Sequence, residues 1–115
     1  MEPFFKVGKL DPYTVIDFQV QSLMSGQELQ RIEQSLYQLV EEGASKLLLD
    51  FTQVQYLSSQ AIGIVVALRS KTAKAPGGKL ALCGVGTQLH QLLKITALDR
   101  ILPIYKTRKD ALAAK

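Results

Sequence analysis

Few side chains in this sequence are of kinds that carry chemistry, and their spacing limits what they could do. His90 is the single histidine and Cys83 the single cysteine. Nucleophilic catalysis needs a base beside the nucleophile, and the Ser58-Ser59 pair lacks the Gly-x-Ser-x-Gly elbow that would present a serine to one. His90 adjoins the leucine stripe Leu89, Leu92 and Leu93, the setting of an ordinary surface or boundary histidine. One histidine and one cysteine among scattered acids supply no zinc-type ligand spacing. Asp50 closes an apolar run just before Thr52 and reads as a cap or turn ligand rather than a catalytic carboxylate. Gly84-Val85-Gly86 has the context of a phosphate-cradling turn but lacks the third glycine, since position 89 is Leu, and Gly77-Gly78-Lys79 lacks a Walker spacing. No catalytic residue, metal or cofactor is therefore expected, and the chain reads as a non-enzyme.

A sharper site is Tyr56-Leu57-Ser58-Ser59-Gln60-Ala61-Ile62-Gly63, between a buried strand and a buried helix. Amides at a helix N-terminus are unpaired and the macrodipole there is positive, so a hydroxyl in this place can accept a phosphoryl group with partial compensation. A phosphate would add about −1.5 to −2 charges at neutral pH and disfavour docking of an acidic or apolar surface. The simpler reading is that Ser58 and Ser59 only cap the helix. The residues alone leave both readings open.

The elements that must position this site follow from apolar periodicity. Phe4–Val7 and Tyr13–Val20 read as strands of an N-terminal hairpin turning at Lys9-Leu10-Asp11-Pro12. Ser25-Gly-Gln-Glu28 has the spacing of a capping box, and Leu29, Ile32, Leu36, Leu39 and Val40 form one helical stripe that Gly43 ends. Lys46–Phe51 has no alternation, as expected of a strand buried on both faces at the centre of a sheet. Ala61–Leu68 is rich in β-branched residues, yet the span from Gln60 to Lys74 before Pro76-Gly77-Gly78 fits a four-turn helix capped by Ser58-Ser59. A strand at Lys79–Cys83, a short helix carrying Val85, Leu89, Leu92 and Leu93, a last strand over Ile101–Tyr105 and a helix over Asp110–Ala114 complete the reading. The fold class is α/β, a mixed and mostly parallel sheet with an N-terminal hairpin and about four helices.

Composition agrees with one domain over residues 1–115, 47% apolar and 21% charged. The longest uninterrupted apolar stretch, Ala61–Leu68, is far short of a membrane span of about 20 residues. No membrane association is expected. With one cysteine no intramolecular disulfide can form, and a cytoplasmic address is the default. Net charge is +4, divided into −4 over residues 1–50 and +8 over residues 51–115. That asymmetry invites a nucleic-acid reading, but the basic residues Arg69, Lys71, Lys74, Lys79, Lys106, Arg108 and Lys109 fall at element ends or solvent faces without interleaved aromatics. No nucleic-acid partner is expected.

The block Leu47-Leu-Leu-Asp50-Phe51-Thr52-Gln-Val54-Gln-Tyr56-Leu57-Ser58-Ser59-Gln-Ala61-Ile62-Gly63 resembles the STAS domain of bacterial anti-sigma factor antagonists. Gly77–Val85 and Leu98-Asp99-Arg100-Ile101 resemble the following segments of the same family, so the likeness spans nearly the whole chain. Its pattern is a buried strand ending in Asp, a hydroxyl residue, a Val, a hydrophobic pair, then Asp-Ser-Ser or Asp-Ser-Ala and Gly-Leu-Gly. The resemblance implies a module that binds an anti-sigma factor, itself a serine kinase, when unphosphorylated, is released on phosphorylation, and is reset by a phosphatase. By the resemblance Ser59 falls on the phosphorylatable serine, with Ser58 the second choice, and Tyr56, Leu57, Ser58, Ser59, Gln60, Ile62 and Gly63 are partner contacts. This sequence departs from the pattern at Ser58, where the family commonly has Asp, and at Ala61, where it has glycine; the Gln21–Met24 loop also lacks an acidic residue often found there. The alternatives are a constitutive STAS scaffold that is never phosphorylated and a small nucleotide-binding α/β domain using Gly84-Val85-Gly86.

Overall fold

A computed structural model describes residues 4–24 and 26–114. Strand β1 (Phe5–Leu10) turns through Asp11-Pro12 into β2 (Tyr13–Phe18). The two pair antiparallel from Phe5↔Phe18 to Leu10↔Tyr13. The expected hairpin is present, with a tighter turn than Lys9–Pro12 because Lys9 and Leu10 stay in the ladder. Next come β3 (Ser22–Leu23), α1 (Gln27–Glu41), β4 (Lys46–Asp50), β5 (Tyr56–Leu57) and α2 (Ser59–Ala73). After these follow β6 (Lys79–Cys83), α3 (Thr87–Ile95), a 3-10 turn (Leu98–Arg100), β7 (Ile104–Tyr105) and α4 (Arg108–Ala113).

The main sheet has the order β1-β2-β4-β6-β7, parallel beyond the hairpin. Strand β4 lies at its centre, as its unbroken leucines predict. Leu47, Leu48 and Leu49 are fully buried. Burying a leucine stabilises by about 1.5–3 kcal/mol, so this strand anchors both faces. On one face Ile16, Phe18, Leu47, Leu49 and Leu82 meet α1, α2 and α3. On the other face Tyr13, Val15, Leu48 and Ala81 pack under Ala111 of α4.

Helix α1 buries Leu29, Ile32 and Leu36, while Leu39 and Val40 are partly buried against the same core. Gly43, with φ +113°, ends it in a conformation that costs glycine no steric penalty. The expected capping box is not the arrangement seen: the N-cap position is Gly26, which has no side chain to cap with, and Ser25 lies outside the described residues. Helix α2 settles the ambiguous stretch as helical. It buries Ala61, Ile64, Val65, Leu68 and Thr72 at helical spacing, and tertiary packing outweighs the β propensity of its valines and isoleucines.

The expected last strand over Ile101–Tyr105 is shortened to Ile104–Tyr105. Pro103 has no N–H to give the ladder, and the Ile101 carbonyl accepts a hydrogen bond from Arg69 Nε at 3.1 Å instead. The pair β3 and β5 was not anticipated. It forms a two-stranded parallel sheet apart from the main one, through Ser22↔Tyr56 and Leu23↔Leu57.

Candidate functional site around the start of helix α2

The β5–α2 junction is built from the backbone outward. Strands of two residues hold little by themselves, but flanking bonds extend the tie: Gln55 N–H donates to the Gln21 carbonyl at 2.7 Å, and Ser58 N–H to the Leu23 carbonyl at 2.9 Å. Leu23 is buried beneath this strap, and Leu57 and Ile62 pack against the same core. The segment before α1 and the segment before α2 are thereby fixed to one another.

The two serines then divide their roles. Ser58 is half-buried and extended (φ −84°, ψ 168°), and its Oγ accepts from Ala61 N–H at 3.1 Å. Its carbonyl accepts from Ile62 N–H at 3.0 Å. That is the capping expected of this position, and it satisfies one of the first-turn donors. Ser59 is the first helical residue, is exposed, and makes no side-chain hydrogen bond among the described residues. The amides of Ser59 and Gln60 have no backbone partner there, and the first turn of α2 carries no acidic residue. Anionic chemistry at Ser59 Oγ would meet the positive end of the helix without a neighbouring carboxylate.

The surroundings are exposed and uncharged. Tyr56 and Met24 are half exposed, and Gln60 and Gly63 are also exposed. A Cβ built on Gly63 would meet nothing within 4 Å, so there is open space at this position one helical turn beyond Ser59. Segments 18–27 and 51–68, which supply this surface, contain no charged residue at all. The structure thus brings Tyr56, Ser59, Gln60 and Gly63 to one open end of the fold, while Leu57 and Ile62 support it from beneath with only partial exposure.

A second polar cluster lies at the ends of β2 and β4, and sequence reasoning found only half of it. Asp50 Oδ1 accepts from the Thr52 amide at 2.9 Å and from the Thr52 hydroxyl, the turn-ligand role expected. Asp50 Oδ2 also accepts from Arg108 Nε at 2.7 Å, and Arg108 Nη2 reaches Asp17 Oδ2 at 3.0 Å. Arg108, expected at an element end or solvent face, stands at the start of α4 and joins that helix to two neighbouring strands. Charge balance along the chain gives no sign of this contact, 58 residues apart. Burial alone would raise the Asp50 pKa, but the Thr52 hydroxyl and amide and the Arg108 guanidinium together hold it below the ordinary carboxylate value. The Cys83 thiol is pushed up to about 12, chiefly by burial and next by the Asp50 charge, which removes it as a thiolate nucleophile at neutral pH.

Gly84 has φ +68°, and a Cβ there would overlap Thr52 Oγ1 and stand 2.9 Å from Asp50 Oδ1. This glycine is explained by close approach to the Asp50 turn, with no phosphate required. Among the described residues no group of three or more His, Cys, Asp or Glu side chains could hold a metal ion, and no helix is long and apolar enough to cross a membrane.

Comparison with known proteins assigns this architecture. The sequence profile of the STAS domain matches residues 11–111. A protein of Thermotoga neapolitana named as an anti-sigma factor antagonist homologue is 31% identical over 107 residues, covering 88% of this chain and 93% of its own. A solved anti-sigma-factor antagonist (STAS) domain protein from Planctomyces limnophilus superposes with a TM-score of 0.85 at 27% identity, covering 96% of this chain and 95% of the other. The Bacillus cell fate determinant SpoIIAA, solved in its phosphorylated form, shares the fold with a TM-score of 0.68 at 13% identity, covering 96% and 97%. An N-terminal antiparallel hairpin, the parallel strands after it and four helices make up the same α/β fold, and the chain belongs to the STAS domain family as an anti-sigma factor antagonist-like member.

Proposed function

We propose that this protein is a regulatory binding module without catalysis of its own. It sequesters an anti-sigma factor that carries serine kinase activity while Ser59 is unmodified, releases it when Ser59 is phosphorylated, and is reset by a phosphatase. The observation that supports this reading most is the division of labour between the two serines. Ser58 is engaged as the helix cap, while Ser59 stands exposed with a hydroxyl free among the described residues. A kinase must bring the acceptor oxygen in line with the γ-phosphate, and a hydroxyl at the start of a rigid helix on an open surface can be presented in that way. Solved structures of both the phosphorylated and the unphosphorylated form of SpoIIAA, which shares the fold, accord with a module that exists in two such states.

Docking would spread over Tyr56, Gln60 and Gly63, backed by Leu57, Ser58 and Ile62. A phosphate at Ser59 would place about −1.5 to −2 charges in the middle of an uncharged surface, and a partner that had buried that surface would have to desolvate them. The serine at position 58 spares the phosphate a carboxylate next door, so release here rests on the charge the partner meets and not on repulsion within the module.

The test is phosphosite mapping of protein recovered from its native cells together with whatever it retains. The expected result is one phosphate on the peptide containing Ser59 in the free pool and none in the partner-bound pool. Modification only at other positions, with Ser59→Ala and Ser59→Asp both retaining the partner as wild type does, overturns the switch and leaves the constitutive scaffold.

A further inference from the structure

Strand β1 is an edge of the main sheet, with β2 as its single neighbour. Opposite residues of an antiparallel pair alternate between those that exchange backbone hydrogen bonds and those that do not. Gln19 N–H donates to the Phe4 carbonyl at 2.8 Å, one step beyond the Phe5↔Phe18 pair, so Phe4 and Gln19 are of the bonded class. By alternation Lys6, Gly8 and Leu10 turn their backbone groups toward β2, while Phe5, Val7 and Lys9 turn theirs outward. Phe5 is buried, so the open part of the edge runs from Lys6 to Lys9. Val7 is 50% exposed there, and Lys6, Gly8 and Lys9 are exposed, which makes the edge directly reachable from solvent.

The edge is also basic, although residues 1–50 together carry −4. No acid lies between Phe4 and Leu10. Lys6 stands opposite Asp17, whose carboxylate is engaged by Arg108 at 3.0 Å. Lys9 Nζ donates to Thr14 Oγ1 at 3.4 Å, and among the described residues no ion pair reaches either lysine.

Lysines on an edge discourage pairing between identical strands. Two β1 strands paired about Val7 would bring two lysines from each chain and no acid into one junction, between chains of net charge +4 each. An acidic strand meets the opposite condition, and charges of opposite sign directly across a sheet are favourable.

We propose that β1 is a docking edge, which takes an extended acidic segment of a partner protein by antiparallel strand addition. Backbone bonds to Val7 and Lys9 supply the attachment, and the side chains set its register. Running antiparallel, the segment meets Lys9, Gly8, Val7 and Lys6 in turn, so the pattern recognised is an acid, any residue, an apolar residue and a second acid. The first acid and the apolar residue lie on the face of Lys9 and Val7, and the second acid lies on the face of Lys6. Nothing in this site depends on Ser59.

The experiment follows the amide resonances of the full chain during titration with the capped peptide acetyl-Thr-Glu-Thr-Val-Glu-Thr-amide. The Val7 and Lys9 amides are expected to shift saturably and to exchange more slowly with solvent. Lys6, Gly8 and Leu10, already bonded to β2, should keep their exchange rates. A peptide with both glutamates replaced by lysine, and the register-shifted acetyl-Thr-Glu-Glu-Val-Thr-Thr-amide, should bind about tenfold more weakly. The double variant Lys6→Glu, Lys9→Glu should reverse the preference and take the lysine peptide. N-methylation of the peptide valine removes its donor to the Val7 carbonyl, leaves every charge in place, and should abolish saturable binding to the unaltered protein. Ser59→Asp should titrate as wild type.

Absence of saturable shifts at Val7 and Lys9, equal binding of the lysine or register-shifted peptide, or undiminished binding of the N-methylated peptide overturns the proposal. Loss of the shifts in Ser59→Asp overturns it too, by assigning them to the α2 surface. Shifts at Val7 that grow with protein concentration in the absence of peptide do the same, assigning the edge to a second copy of the chain.

Discussion

Arg108→Gln isolates the contact that holds the C-terminal helix to the sheet. The side chain lost is 40% exposed, but the Asp50 carboxylate it leaves behind is only 8% exposed. Breaking a fully buried ion pair costs about 3–5 kcal/mol, and an exposed pair is worth about 0–1 kcal/mol. The half-exposed arginine and the two Thr52 donors that Asp50 keeps put the expected loss between these limits, at about 2 kcal/mol, the scale of a hydrogen bond to a charged group. Asp17→Asn should cost less, under about 1 kcal/mol, because Asp17 is 32% exposed and retains water.

The sign of the pH dependence follows from Asp50. Its folded pKa lies below the unfolded value of about 3.9, so the unfolded chain binds the proton more readily and stability rises with pH. The contribution is complete above about pH 4 and is lost as pH falls through the folded value. Urea denaturation of wild type and Arg108→Gln at steps from pH 7 to pH 2 should therefore show a gap that is widest near neutrality and closes in acid. In an Asp50→Asn background the Arg108→Gln penalty should fall to less than half. A loss below about 0.5 kcal/mol at pH 7, or a gap that does not change with pH, would refute the assignment of this cluster as the attachment of α4.

Three further outcomes are expected. Ser59→Asp should stabilise the folded protein by about 0.3–1 kcal/mol in thermal or urea unfolding, because it places the first acidic group at the start of α2, and should abolish partner capture if Ser59 is the switch as proposed. Gly63→Ala should stabilise by up to about 1 kcal/mol, since the position is helical, exposed and open, whereas Gly63→Leu should keep the fold by circular dichroism and weaken partner binding by at least tenfold if the surface docks as proposed. Gly84→Ala should destabilise by about 1–3 kcal/mol, because an alanine must take φ +68° and displace the Thr52 hydroxyl from Asp50; a neutral result would show that the turn has room.

The large elements were legible because each repeats its own pattern. Three successive leucines in a short run without alternation fit the middle of a two-sided sheet, and the length before Pro76-Gly77-Gly78 overruled the β-branched residues of α2. The mini-sheet of β3 and β5 was not legible: two residues per strand leave no period to detect, and the pairing joins segments more than 30 residues apart. The same holds for Arg108, whose partners are set by where α4 meets the paired strands β2 and β4 and by nothing local. Strand β7 was overextended for a definable reason. Ile101, Leu102 and Ile104 have strand propensity, but Pro103 removes a donor and Arg69, from a helix far back in the chain, takes the Ile101 carbonyl. At the α2 junction, Ser58 as cap could be read from the sequence, whereas the exposure of Ser59 required the strap beneath it.

The absence of charge from segments 18–27 and 51–68 bears on how fast a partner arrives. With no local charge to steer a partner onto this face, attraction comes only from the rest of the chain, which is +4 overall and +8 over residues 51–115, so association with an acidic partner should slow as sodium chloride is added. Selectivity among competing partners would then lie in residence time, in how well an arriving surface fits a tyrosine, a glutamine and a bare glycine, and one modified oxygen would suffice to shorten it.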